Sequence, residues 1–246
     1  MIDIKQVTRT YGTKTAVDGL DLHVPRGELF ACLGHNGAGK TTTIKMMVGL
    51  LQPTAGTIEI AGFDVVSQAR EASLRSGYVP DEPYLYDKLS GREFLQFVAE
   101  MYGLPRDVTS ASIDKQIDDF GLAGFVDQLA ESYSHGMKQR LVFASALLHD
   151  PELLIVDEPM VGLDPRSMRL VKDLLRKRVR NGGTVFMSTH TLAVAEEIAD
   201  RIGVMSHGKI QFLGTVADLR EQLSSDESLE QLFLTLTEEE PANYVS

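Results

Sequence analysis

The stretch LFACLGHNGAGKTTTIKMMVGL, residues 29–50, decides how the chain is read. A short apolar run, LFACL, reads as a buried strand, and residues 41–50 read as a helix. The loop between them fits G-x-x-x-x-G-K-[ST] through Gly34, Gly39, Lys40 and Thr41. Glycine admits backbone angles that a side chain forbids, so several N–H groups along Gly34, His35, Asn36, Gly37, Ala38 and Gly39 can face one anion. The positive end of the following helix adds to that field. Lys40 then reaches the outer phosphates, and the Thr41 hydroxyl holds a magnesium ion. The pattern predicts phosphate binding; kinases and switch proteins share it, so the loop alone does not fix the reaction.

Outward from the loop, residues 1–24 alternate apolar and polar positions around Tyr11-Gly12, as in an antiparallel hairpin. Residues 56–62 continue that sheet. Residues 77–83 read as strand then loop, and helical periodicity follows over 89–102 and 109–120. After Ser134 the pattern becomes helix 137–149, strand 153–156, helix 167–179, strand 184–188, helix 192–199 and strand 202–206. That rhythm predicts a mostly parallel sheet with helices on its faces. The tail from Thr215 carries two short helical patterns, one ending near Leu223 and one over 229–236.

The strand LLIV ends in Asp157-Glu158. Acids at the carboxyl end of a buried strand lie where open α/β sheets bind ligands. One carboxylate serves the magnesium ion; the other orients or deprotonates an attacking water. Asp164 and His190 close the next two segments, and the His190 imidazole is placed to meet a terminal phosphate. Together with the phosphate loop, this pair makes phosphoryl transfer the leading chemistry. The six histidines show no metal-ligand spacing with cysteine or carboxylate, so magnesium is the one metal expected.

Composition is that of an ordinary soluble protein of 246 residues, 43% hydrophobic and 24% charged. The lone cysteine, Cys32, excludes an internal disulfide and favours a reducing compartment. The N-terminus lacks the apolar core of a signal peptide, and no apolar run is long enough to span a bilayer, so work at a membrane requires a partner. The net charge is −11; residues 215–246, with eight acids against Arg220, supply −7 of it. Nucleic acid is therefore not an expected partner.

The order of these features closely resembles the ATP-binding cassette family, the nucleotide-binding subunits of ABC transporters, over roughly residues 1–214. In that resemblance residues 34–41, with Thr42, stand as the phosphate loop, Asp157 as the magnesium-associated acid and Glu158 as the catalytic carboxylate. Tyr133-Ser134-His135-Gly136-Met137 matches the signature segment usually written LSGGQ. Asp164 stands in the D-loop, His190 as the switch histidine, and Tyr11 as the aromatic stacked on adenine. The resemblance implies an α/β P-loop NTPase core with an antiparallel β subdomain, a helical signature subdomain at about 84–140, and an acidic extension over 215–246. It implies ATP and magnesium as ligands and head-to-tail closure with a second cassette, expected to be identical. Each ATP is then held by one subunit's loop and by Ser134 to Met137 of the other. Catalysis falls to Glu158, His190 and Lys40, and an exporter-type membrane permease is driven from its cytoplasmic face.

Three departures stand out. His35 replaces a frequent proline, His135 and Met137 replace a glycine and the glutamine of the signature, and Asp81 stands where the family places a glutamine. Aspartate can still ligate magnesium but offers no amide N–H. Tyr84, Leu85, Tyr86, Leu89 and Phe94 are candidates for meeting the permease or for internal packing. Leu229, Leu232, Phe233 and Leu236 form a tail stripe expected to pack on the body or on the second subunit, leaving Glu238, Glu239 and Glu240 in water. A soluble superfamily member acting on ribosomes or DNA, and a weakly catalytic scaffold, are the competing readings.

Overall fold

Strands Leu29–Leu33 (β3), Leu153–Val156 (β7) and Thr184–Thr189 (β8) send alternate residues into two different cores, and this alternation explains the layering. The computed structural model describes residues 1–222 and 229–237. Leu29, Ala31, Leu33, Leu154, Val156, Val185 and Met187 point to one core, and Phe30, Cys32, Leu153, Ile155 and Phe186 to the other. Because both faces are covered, these strands are apolar throughout, as parallel sheets require. Cys32 is buried, and burial pushes its thiol up to about 12, so it serves as a small apolar filler.

The main sheet also holds Ser76–Val79 (β6), Arg201–Ser206 (β9) and Lys209–Gly214 (β10), in the order β10-β9-β3-β8-β7-β6. All neighbours are parallel except β10 on β9. A second, antiparallel sheet holds Lys14–Val24 (β2), Ile2–Tyr11 (β1), Ala55–Ile60 (β4) and Phe63–Asp64 (β5), in the order β2-β1-β4-β5. Helix Lys40–Met47 (α1) lies between the two sheets and buries Ile44, Met46 and Met47 there. Helix Ala69–Leu74 (α2) links the small sheet to β6. Neither α2 nor β10 was expected from sequence. Each is only six residues long and bounded by turns, which leaves too little periodicity to recognise.

The helical lobe comprises Gly91–Met101 (α3), Arg106–Asp119 (α4) and His135–Ala146 (α5). Ser90 and Glu93 cap α3 reciprocally: Ser90 Oγ accepts from Glu93 N at 3.2 Å, and Glu93 Oε2 accepts from Ser90 N at 2.8 Å. The lobe closes on Tyr133, whose hydroxyl donates to the Phe125 carbonyl (2.9 Å) and accepts from Gly91 N (3.1 Å). Helices Pro165–Arg180 (α6) and Leu192–Ile198 (α7) return to cover the main sheet. Two short helices, Val216–Glu221 (α8) and Leu229–Thr237 (α9), complete the described chain. Of the tail stripe, Leu232 and Phe233 are buried in the main core with Leu236 packed against it, so this part of the tail docks on its own body. The expectation for Glu238, Glu239 and Glu240 lies outside the described residues, as does the end of the helical pattern at Leu223.

His149, after α5, stacks on Tyr102 with ring centroids 3.7 Å apart and donates from Nε2 to the Ser76 carbonyl at 3.2 Å. Its Nδ1 is buried without a partner, and burial pulls the imidazole down from 6.5 to about 4. A base whose folded pKa is depressed contributes stability above its unfolded value and loses it as acid charges the unfolded chain. Urea midpoints should therefore fall between pH 6.5 and pH 4, and the fall should be shallower in His149→Gln. Parallel curves for the two proteins over that window would remove His149 as the cause.

Candidate functional site

Four neighbouring parallel strands, β3, β8, β7 and β6, end at one edge of the main sheet, and each delivers part of the site. β3 leads into the phosphate loop. β8 carries Ser188 and leads to His190, β7 leads to Asp157 and Glu158, and β6 leads to Asp81. Register fixes their heights: Leu33 lies beside Thr189, and Val79 beside Val156.

The loop is held from two sides. A Cβ at Gly34 would stand 2.3 Å from the Met205 carbonyl oxygen of β9. One at Gly39, whose φ is +109°, would meet the Ala16 carbonyl oxygen at 2.6 Å, so neither position tolerates a side chain. Gly208, in the β9–β10 turn, donates its N–H to the Ala38 carbonyl at 2.9 Å. Inside the loop the Lys40 ammonium, with a side chain 5% exposed, donates to the carbonyls of Gly34 (2.6 Å) and His35 (3.2 Å). It also forms an ion pair with Glu158 Oε1 at 3.3 Å. The opposite oxygen, Glu158 Oε2, meets His190 Nδ1 at 3.0 Å and accepts from the His190 backbone N–H at 3.3 Å. Glu158 thus bridges the loop lysine and the histidine.

Asp157 is 1% exposed, and its Oδ1 accepts from Ser188 Oγ at 2.5 Å and from Thr41 Oγ1 at 3.3 Å. Ser188 Oγ in turn accepts the Glu158 backbone N–H at 2.9 Å. Glu158 has φ of +46°, a left-handed conformation that a non-glycine residue adopts at a cost, and the Ser188 hydroxyl helps hold it. A hydroxyl and a carboxylate on adjoining elements form a hard oxygen set that fits magnesium.

Tyr11 is exposed at the tip of the β1–β2 hairpin, with the Arg9 guanidinium 4.7 Å from its ring centre. Its strand partner Lys14 lies two residues, about 7 Å of strand, from the Ala16 carbonyl that touches the phosphate loop. The signature segment stands apart, on the helical lobe. Ser134 caps α5, its Oγ accepting from Met137 N at 3.4 Å, and a Cβ on Gly136 would meet nothing within 4 Å. Asp164 caps α6 by accepting from the backbone N–H groups of Arg166 (2.9 Å) and Ser167 (3.1 Å). The Ser167 hydroxyl beside it holds its carboxyl below the usual range. His135 leans over Gly162, whose added Cβ would lie 3.3 Å from its Nε2.

The family profile described as ABC transporter matches residues 17–161, more than half of the chain. The chain belongs to the ABC transporter family. It is 38% identical to the bacitracin transport ATP-binding protein BcrA of Enterococcus faecalis over 90% of this chain and 71% of that one. It is 39% identical to the daunorubicin resistance ATP-binding protein DrrA3 of Streptomyces coeruleorubidus, over 92% and 71%. Among solved structures, an ATP-binding subunit of an ABC transporter superimposes with a TM-score of 0.89 at 31% identity, covering 97% of this chain and 100% of that one. The protein is an ABC-type ATPase subunit that energises transport through a separate membrane permease. No helix among the described residues is long and apolar enough to cross a membrane.

Asp81 of this ABC subunit lies within charge range of Asp157 and Glu158. Burial first, then those two acids and Glu82, push its carboxyl up, while His135 pulls it down. Ser188 escaped the sequence reading altogether. A serine inside VFMST carries no pattern of its own; only its place beside β7 reveals its contacts. Ser188→Ala leaves Asp157 and the Glu158 N–H each short of a partner. The turnover of this variant should drop roughly 10- to 100-fold, a range typical for lost outer-shell support. Its ATP affinity should stay within about threefold, since no phosphate contact is removed. Phosphate-release kinetics alongside nucleotide titration will separate the two effects.

Proposed function

We propose that Lys40, Thr41, Asp157, Glu158 and His190 form the hydrolytic centre for ATP, with Tyr11 against the base and the N–H groups of Gly34 to Thr42 around the phosphates. The observation that carries this reading is the Glu158 carboxylate held between Lys40 and His190. Phosphate oxygens arriving at Lys40 replace the negative charge that Glu158 supplies to it. The freed carboxylate then accepts a proton from a water as its oxygen bonds to the terminal phosphorus. The bond to the bridging oxygen breaks, giving ADP and phosphate. Thr41 and Asp157 would hold a magnesium ion, with Asp81 a further candidate ligand, and the ion would supply positive charge against the phosphate oxygens. His190 orients Glu158 and faces the terminal phosphate.

A second, identical subunit completes the site in this proposal. Ser134, His135, Gly136 and Met137 present a serine hydroxyl and the first-turn amides of a twelve-residue helix, α5, the Met137 N–H being capped by Ser134. Asp164 accompanies them at the closing interface. The permease docks on the helical lobe from the cytoplasmic face. Tyr84 (77% exposed), Tyr86, Phe97 and Met101 form an uncovered apolar patch there, while Leu85 and Phe94 pack inward. Tyr86 holds the patch together, 6.0 Å from Tyr84 and 5.6 Å from Phe97 between ring centres. The names of the relatives, bacitracin transport and daunorubicin resistance, support outward movement of an antibiotic-like compound.

Two experiments test these assignments. Glu158→Gln keeps the shape but accepts no proton, so it should retain ATP while turnover falls at least about 100-fold. Near-normal phosphate release would remove Glu158 from the base role, and unchanged ATP retention in Lys40→Ala would remove the loop. Replacing Tyr84 and Tyr86 together by alanine should abolish co-purification with the permease and leave the isolated ATPase rate intact. Persistent association would reassign the patch to internal packing.

A further inference from the structure

His35 occupies the second position of the phosphate loop, and its ring does not stand free. The centroid lies 5.6 Å from that of Phe233 on α9, with the planes tilted by 42°. Phe233 is 4% exposed and sits in the main core beside Leu232, and α9 packs along β9. The same strand presses the Met205 carbonyl against Gly34. The tail helix therefore reaches the loop twice, through ring contact with His35 and through the strand beneath Gly34.

The backbone of His35 makes this contact consequential. Its carbonyl accepts from Lys40 Nζ at 3.2 Å and from the Ala38 N–H at 3.1 Å, so it sets both the lysine and the curl of the loop. A proline at this position would fix its own φ, whereas histidine leaves φ free. Restraint from outside the loop then replaces restraint within it. We propose that Phe233 is a positioning residue for nucleotide binding: by holding the His35 ring it fixes the His35 carbonyl, and the C-terminal helix thereby sets the affinity of the phosphate loop for ATP.

This inference rests on the reading of the loop as the ATP site and goes beyond it by giving the tail a role there. A preorganised loop pays less ordering cost on binding, so its loss weakens affinity and leaves the chemical step alone. Equilibrium titration of the full chain with a fluorescent ATP analogue and magnesium should show Phe233→Ala binding about five- to tenfold more weakly, with kcat changed less than about twofold. His35→Ala should weaken binding by a similar factor, and the double variant should be no weaker than either single one, as coupled residues require. In a His35→Pro background, Phe233→Ala should have no effect. Phe233→Leu preserves apolar docking of the helix and should lose most of the same affinity, which covers the case in which the alanine variant folds poorly. Unchanged affinity in Phe233→Ala or Phe233→Leu, or additive losses in the double variant, would overturn the proposal. Lys40→Ala in the same titration keeps the two claims apart: if it too binds normally, the loop reading fails, and if it alone loses binding, only the role of the tail fails.

Discussion

A lysine ammonium buried to 5% exposure needs oxygen around it, and that requirement organises the whole nucleotide edge. Gly34 and His35 supply two carbonyls, and Glu158 supplies a carboxylate from the end of β7 in the same sheet. The carbonyls come close enough only because the loop itself packs without side chains against β9 and β2 at Gly34 and Gly39. The carboxylate comes close because β7 stops two residues short of β3, with Val156 level with Met187 and Ala31, so that Glu158 just past β7 reaches the height of the loop. A buried cation with one partner removed is costly, so a phosphate entering here exchanges one anionic partner for another. In the proposed mechanism the phosphate takes the place of Glu158 at Lys40.

Much of this was legible in the chain because the relevant chemistry sits at the ends of periodic segments. LFACL followed by glycines and GKT, and LLIV followed by Asp157-Glu158, each announce a strand end with a polar payload. The antiparallel hairpin, the helical lobe and the alternating second half follow from period alone. Ser188 was not legible. It lies inside an apolar strand, and its value arises from Asp157 across the sheet, a relation that no local pattern encodes. The tail stripe was legible as a stripe, but its contact was not, since His35 belongs to the opposite end of the sequence.

The fold separates the two proposed anion sites. The phosphate loop, β7 and β8 assemble within one rigid sheet, whereas the signature residues ride on α5 of the helical lobe. The contact between His135 and Gly162 ties that lobe to the segment leading into Asp164 and α6. That segment is bonded in turn to Glu158, whose carbonyl accepts from the Val161 N–H at 3.2 Å. Glu158 sits at this junction with a φ of +46° that is maintained by its neighbours rather than by preference.

The departures from the family pattern are related by the same geometry. Asp81 adds a third carboxylate near Asp157 and Glu158, and burial together with those two acids raises the cost of its charge. His135, itself a departure in the signature, is the neighbour that works in the opposite direction on Asp81. A glutamine and a glycine at these two positions would neither repel the acids nor attract each other. With aspartate and histidine there, the small pull of His135 on Asp81 works against the larger effects of burial and of the neighbouring acids. A neutral amide at position 81 would carry none of this charge, so the crowding of three carboxylates at the ends of β6 and β7 is particular to the aspartate.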